Sequence, residues 1–522
     1  MTQPLEDMKL RQRIFRNTAS NYIGQFIVLG VGFVIAPFIL HTLGASVYGL
    51  WVLVNSVMAY GSLLDLGLYS AVVKYVSEYY AKHDLQQAES MIATALSIYT
   101  VVGLIAIMLS IPMAFLFPRL FSVPPVERST ITWLVILAGV NLGLSIPGVT
   151  IWAVLNGLQR FDLANILTVT GTLINALATV AILLAGGGVL GVICVNLLTN
   201  VTMQIPAILL IRRTAPGLHV GWHSGSRKHL RQVASFSASL LVTNIAGRLQ
   251  NKTDEIVIGA SLPITSVTPY YFARRLSEVV QTLTDQFMKV LLPLASELHA
   301  TEYYERLRKL YLASTRLTLV VFLPLGCIVV ILGQQILSAW VGAEYGKYAY
   351  LILILTVSGV IDTSQWPAGA LLQGMVRHQP LAVIAISSGI INLGLSILLV
   401  QHLGVTGVAL GTLIPTTIAN LVFVAPYAMR TLGVNLGTVV REVLRPVLIP
   451  MLPTVIILFA LRQIVQPSSL PVIALVAAAG LSVYVSIYYL AGADSVERQA
   501  YQNVALATVR SIHAYLQSIG SA

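Results

Sequence analysis

Charge is what this chain of 522 residues has least of: 10% of its residues are Asp, Glu, Lys or Arg, against 56% hydrophobic. Soluble globular domains carry about 25% charged residues, so a water-soluble fold is excluded and a polytopic membrane protein remains. Cysteine is nearly absent as well. Cys194 and Cys327, both inside apolar runs, allow neither a disulfide framework nor a metal-ligand spacing. There is no G-x-x-x-x-G-K-[ST] phosphate loop, no H-E-x-x-H and no nucleophile elbow. The connections between apolar runs are short, so a membrane enzyme with catalytic residues in a sizeable loop is disfavoured and no cofactor is expected. The nine histidines lie in loops or at span ends, which argues against an intramembrane histidine relay. No small-residue cleavage site follows the first apolar run, so the first span is expected to stay as an anchor.

What is present is a series of long, non-alternating apolar runs, and these must be helices, because helices satisfy their own backbone groups in lipid. Fourteen spans are expected, near 18–40, 50–73, 91–117, 130–155, 163–185, 189–211, 234–260, 267–292, 312–333, 348–372, 380–400, 405–428, 443–462 and 470–491. With both termini cytoplasmic, Lys and Arg gather on the inner side, and only Arg119, Arg128, Lys347 and Arg462 fall outside. The net charge of +11 is therefore a topology signal rather than a nucleic-acid one. The tail over 494–519 reads either as an amphipathic surface helix or as an ordinary solvated segment.

The remaining cations crowd into or beside spans seven to nine: Arg248, Lys252, Arg274, Arg275, Lys289 and Arg316, with Asp254, Glu255, Glu278 and Asp285 among them. A charge left in hydrocarbon costs roughly 2.5–3.5 kcal/mol on insertion scales. These side chains must line a watery cavity or pair with each other. Arg274, Glu278, Gln281 and Asp285 share one helical stripe, which suits a lined face; Arg274 with Glu278 and Asp285 with Lys289 also have i,i+4 pairing geometry.

The chain repeats itself. NGLQRFDLANIL from Asn156 and QGMVRHQPLAVI from Gln373 begin two blocks in which Gly157 meets Gly374, Arg160 meets Arg377 and Asn175 meets Asn392. After a one-residue slip, Gly188 and Gly191 meet Gly404 and Gly407; earlier, Asp65 corresponds to Asp285. The unit is six spans used twice, so the two copies enter from the same side and are related by an axis along the membrane normal. The expected fold is an all-α polytopic membrane protein: two pseudo-symmetric six-helix lobes around a central cavity, plus two C-terminal helices. Its parts are a cytoplasmic N-terminus (1–17), an N-lobe (18–213), a cytoplasmic linker (214–233), a C-lobe (234–430), two further spans (431–493) and a cytoplasmic tail (494–522).

Asp65-Leu66-Gly67-Leu68 closing an apolar span, Val72-Val73-Lys74-Tyr75-Val76-Ser77-Glu78 after it, Asp254 ahead of IVIGASLPITSVTPYYFARRLSEVV, and VLLPLAS at 290–296 resemble the polysaccharide exporters. These are lipid-linked oligosaccharide flippases of the multidrug/oligosaccharidyl-lipid/polysaccharide exporter superfamily. The resemblance covers spans one to twelve. It implies a bacterial inner-membrane protein that moves a polyprenyl-pyrophosphate-linked oligosaccharide from the cytoplasmic to the periplasmic leaflet by alternating access. It also implies coupling to H+ or Na+, with a polysaccharide polymerase and a chain-length regulator as partners and no nucleic acid. For such a substrate, Arg248, Arg274 and Arg275 are the expected headgroup contacts, with Lys252 and Lys289 beside them, since guanidinium forks match phosphate oxygens. Asp65, Asp254, Glu278, Asp285 and Asp362 are the candidates for polar cavity lining or ion coupling; for Asp65 helix-end capping is an equal alternative, and for Asp362 pairing with a neighbouring helix. Tyr69, Tyr75, Tyr79, Tyr80, Tyr270 and Tyr271 read as an interfacial belt more than as sugar-stacking rings. A lipid II flippase and a multidrug or cation antiporter of the same superfamily are the competing readings.

Overall fold

In the computed structural model, the described residues are 3–222, 226, 229, 230, 232, 253–494 and 497–499, apart from Leu66, Ser122, Glu302 and His378. Side chains are described from Ile23 onward, except at 62, 63, 283, 285–287, 289, 290 and 293. No strand occurs among them. Eleven helices among the described residues are long and apolar enough to cross a membrane. Of the other expected spans, 234–260 lies largely outside the described residues. The one over 267–292 is a continuous helix that Arg274, Arg275, Glu278, Asp285 and Lys289 make too charged to count on composition.

The span expected over 50–73 is not one helix. α1 (Gln3–Ala59) bends at Gly44, whose φ of +79° suits glycine. A tight 3-10 segment then covers Tyr60–Asp65, and α2 (Leu68–Ala81) starts afresh. The break has a local cause. The Asp65 carboxylate accepts from the N–H groups of Gly67 (3.2 Å) and Tyr69 (3.3 Å), which the first turn of α2 would otherwise leave unsatisfied. Gly67 supplies the left-handed residue between them, at φ +76°. The continuous apolar run hid this, because leucines on both sides of the break suit either conformation.

α3 (Leu85–Leu120), α4 (Arg128–Gly157), α5 (Phe161–Leu184) and α6 (Gly188–Thr214) follow. Then come α7 (Asp254–Ser261), α8 (Val267–Ala300), α9 (Tyr304–Ile331) and α10 (Gly333–Trp340). The span expected over 348–372 is two helices, α11 (Ala349–Ser364) and α12 (Trp366–Gly374), jointed at Gln365 beside Pro367, which has no N–H to carry the ladder through. α13 (Gln379–Leu403) and α14 (Val405–Thr417) precede a wide π turn at Ile418–Val424, and two further spans lie within Leu436–Val465 and Leu470–Gly492.

The chain gathers into two compact units, residues 1–272 with 385–412, and residues 273–384 with 413–522. In the first, Val154, Leu155 and Leu158 at the end of α4 pack with Val72 and Val76 of α2 and Ile211 of α6. In the second, Leu371, Leu372 and Met375 at the end of α12 pack with Leu291 and Ala295 of α8 and with Ala428. Val154, Leu155 and Leu158 correspond in the repeat to Leu371, Leu372 and Met375, so the repeat is carried by packing as well as by residue identity. The glycines agree. A Cβ at Gly157 would lie 3.1 Å from the Val73 carbonyl oxygen, and one at Gly374 would lie 2.7 Å from Ala295 Cβ and 3.0 Å from Ser296 N. Just beyond, Gln159 and Val376 both take a φ of 57°.

The linker expected over 214–233 is tied down where it is described: the Trp222 indole N–H donates to Thr100 Oγ1 (3.2 Å) and the Ser226 N–H to Thr94 Oγ1 (3.0 Å), both on α3. Arg316, one of the cations unexplained by topology, is held by Asp494 (2.6 Å) and Glu497 (2.7 Å) at the start of the tail. Beyond residue 499 the tail lies outside the described residues.

Gly374→Ala is expected to lower the melting temperature of the purified protein, by overpacking worth about 1–3 kcal/mol. Gly394→Ala, where nothing lies within 4 Å of the added carbon, should not lower it.

Candidate functional site

A polar side chain in a membrane span needs a partner, a watery surface or both. Arg248 and Lys252 lie outside the described residues. Asp285 and Lys289 fall on α8, but their side chains are not among those described. Arg274, Arg275 and Glu278 of α8 form a cluster. Arg274 is buried, and its Nε donates to Glu278 Oε1 at 2.9 Å. Arg275 lies within 3.8 Å of Glu278 Oε2, with its side chain 38% exposed. Glu278 thus lies beside two guanidiniums, and the two arginines differ: Arg274 is buried in its ion pair, whereas Arg275 is partly exposed. Along the same helix, the Ser277 hydroxyl lies 3.0 Å from Thr356 Oγ1, which fixes α8 against α11.

Asp254, the first residue of α7, is 1% exposed, as is Glu255 after it. Its carboxylate accepts from the Tyr270 hydroxyl at 2.5 Å, and the Thr412 hydroxyl lies 3.0 and 3.1 Å from its two oxygens. Asn392 Nδ2 in turn donates to Thr412 Oγ1 at 2.9 Å. Asn392 Oδ1 and, one turn on, Ser396 Oγ are sealed in without a hydrogen-bond partner. The group is therefore rich in oxygen atoms. Tyr270 belongs to it and is fully buried, so it serves neither as a belt residue nor as a sugar-stacking ring.

Asp65, beyond capping α2, accepts from the Tyr99 hydroxyl of α3. Capping and cross-helix tethering are both its work. Asp362 accepts from the Trp366 indole N–H (3.0 Å) and from Asn420 Nδ2 (3.2 Å). It is thus linked to the next helix, through neutral donors, and no cation pairs with it among the described residues.

Several of these partners escaped the sequence reading: Thr412, Asn392, Asn420 and Tyr99. So did a set of amides in the first repeat, where Asn175 Nδ2 donates to Asn196 Oδ1 (2.7 Å) and Asn200 Nδ2 to Asn141 Oδ1 (2.9 Å). The signal was there as isolated polar residues inside apolar runs. By the repeat spacing Asn175 and Asn196 correspond to Asn392 and Thr412, so each copy clasps its fifth and sixth spans with one polar bond at the same place.

With this geometry in view, the family model for "Polysaccharide biosynthesis protein" matches residues 41–350, more than half of the chain. The chain belongs to that family. Within it, the match covers α1 from its bend through to α10 and includes the α8 charges. The probable flippase AglR of Haloferax volcanii is 21% identical over 77% of this chain and 81% of its own. Among solved structures, the lipid II flippase MurJ in an inward closed conformation superposes with a TM-score of 0.68 at 13% identity, covering 91% of this chain and 99% of that one. An inward-facing multidrug resistance MATE transporter of the MOP superfamily gives 0.67 at 16% identity, over 78% of this chain and 94% of that one. This polysaccharide biosynthesis protein therefore has the superfamily fold that its motifs resemble.

Removing the hydroxyl in Thr412→Val is expected to destabilise the protein by about 1–3 kcal/mol, because the buried Asp254 carboxylate loses a donor. In Asp254→Asn/Thr412→Val the loss should fall short of the sum of the single changes, as measured by thermal melting in a double-mutant cycle.

Proposed function

We propose that this protein translocates a polyprenyl-pyrophosphate-linked oligosaccharide from the cytoplasmic to the periplasmic leaflet of a bacterial inner membrane, for the assembly of a surface or secreted polysaccharide. The observation that carries the reading is the α8 cluster, two guanidiniums set against the single carboxylate of Glu278 in a membrane protein of this family. A pyrophosphate moving through a bilayer needs such donors, and Arg275 is the better placed to supply them. Arg274 then acts as the paired neighbour that holds Glu278. Six-helix lobes, 18–213 and 234–430, would rock about the substrate in alternating access, with the polyprenyl tail left in lipid. Both termini are placed in the cytoplasm, and a polymerase and chain-length regulator would take the product.

Coupling is assigned to H+ or Na+, since the sequence has no phosphate loop for ATP. Asp254 and Asp362 are the carboxylates that fit best. Asp254 has the hydroxyls of Tyr270 and Thr412 on it, and the donors to Asp362 among the described residues are neutral. Asp362 sits one turn before the joint between α11 and α12, as ion sites in secondary transporters often do. Lipid II transport is the second reading, supported by the shared fold with MurJ over nearly the whole chain. A cation antiporter suits the adjacent guanidiniums of Arg274 and Arg275 less well.

The test is transbilayer movement of a fluorescent polyprenyl-pyrophosphate oligosaccharide in proteoliposomes. Wild type should transport it. Arg275→Ala should lose at least about tenfold in rate with unchanged melting, and Asp254→Asn should lose the response to an imposed Na+ or pH gradient. Efflux of organic cations without movement of any lipid-linked sugar would replace this reading by the antiporter.

A further inference from the structure

The two copies of the repeat carry different chemistry at matching places. In the second copy, Asn420 meets the carboxylate of Asp362, and Thr412 meets that of Asp254. In the first, the counterpart of Asn420 is Gln204, whose Nε2 lies 3.4 Å from the carbonyl oxygen of Leu144, and Ser145 stands where Asp362 would be. No Asp, Glu, Lys or Arg occurs over 129–158 or 163–211. Spans four to six of the first copy are polar but neutral.

Its polarity is organised. Asn196, Asn200 and Gln204 recur every four residues on one face of α6, away from the exposed apolar Leu198, Ile205 and Leu209. Each makes a single hydrogen bond, to Asn175, Asn141 and the Leu144 carbonyl. A primary amide offers two donors and one acceptor with two lone pairs, so most of this capacity is unspent on protein among the described residues. Asn200 is exposed, and Asn141 Nδ2 and Gln204 Oε1 are not sealed in. Turned to hydrocarbon, these groups would each cost free energy; turned to a hydrated space, they present alternating donors and acceptors.

We infer that this seam on α4 and α6 is the subsite that reads the sugar part of the substrate, through hydroxyls that both donate and accept. A phosphate would want the cations this seam lacks, and an organic cation would want carboxylates. The repeat has diverged, with neutral, hydroxyl-reading spans four to six in the first copy and carboxylates at Asp254 and Asp362 in the second. Gly148 belongs to the seam: a Cβ there would lie 2.6 Å from Gln204 Nε2, so only glycine lets that amide rest across α4. The inference rests on the flippase reading, and its test separates the two.

Binding of undecaprenyl diphosphate, bare and bearing a neutral disaccharide, is compared on the full-length protein in nanodiscs. Wild type should prefer the disaccharide-bearing lipid by about tenfold, the worth of one or two neutral hydrogen bonds. Asn200→Leu/Gln204→Leu should lose that preference and bind the bare lipid as before. A wild type that binds both lipids equally, or a variant that keeps the preference, would overturn the subsite and leave the flippase reading standing. Binding of neither lipid would overturn both. Independently of ligand, a membrane-impermeant maleimide should label Asn200→Cys, made with Cys194→Ser and Cys327→Ser. Absence of labelling from either side would place the seam against lipid and end the proposal.

Discussion

A polar group inside this protein's membrane spans costs free energy unless a partner or water answers it, because hydrocarbon offers neither a donor nor an acceptor. The helices are the backbone's answer, and the hydrogen bonds of Asp65, Asp254, Asp362 and the amides are the side chains' answer. Even the irregularities follow from it. The chain breaks at Tyr60–Gly67 where Asp65 can take the freed N–H groups, and it bends at Gln365 beside a proline that has none to give. Polar groups have been placed where the helices are interrupted, which keeps both satisfied at once.

The duplicated architecture gives that rule two settings. Cores around Gly157 and Gly374 are built alike, down to the left-handed residue two positions beyond each glycine. Each copy also clasps its fifth and sixth spans with one polar bond, Asn175 to Asn196 and Asn392 to Thr412. On this common frame α6 carries Asn196, Asn200 and Gln204, whereas the matching residues Thr412 and Asn420 of the second copy meet carboxylates.

Much of this was legible in the residues themselves. The repeat, the helical class and the crowding of charge around Arg274 all follow from identities and spacing. The ion pair of Arg274 with Glu278 follows from the i,i+4 rule. The two arginines could not be told apart from spacing, since adjacent residues on a helix differ by about 100° and only the neighbouring helices decide which is covered. Tyr270 was misread for the same reason: a tyrosine near a span end suits an aromatic belt until a buried carboxylate is found beside it.

By itself the sequence determined the solvent, the secondary structure and the duplication. Those depend on composition and period, which hydrocarbon enforces residue by residue. The tertiary structure alone decided the partners. Thr412 stands 158 positions from Asp254, and Asn420 stands 58 from Asp362; no local rule links such pairs. Which oxygen faces which carboxylate is a matter of how helices pack, and packing is a property of the folded chain.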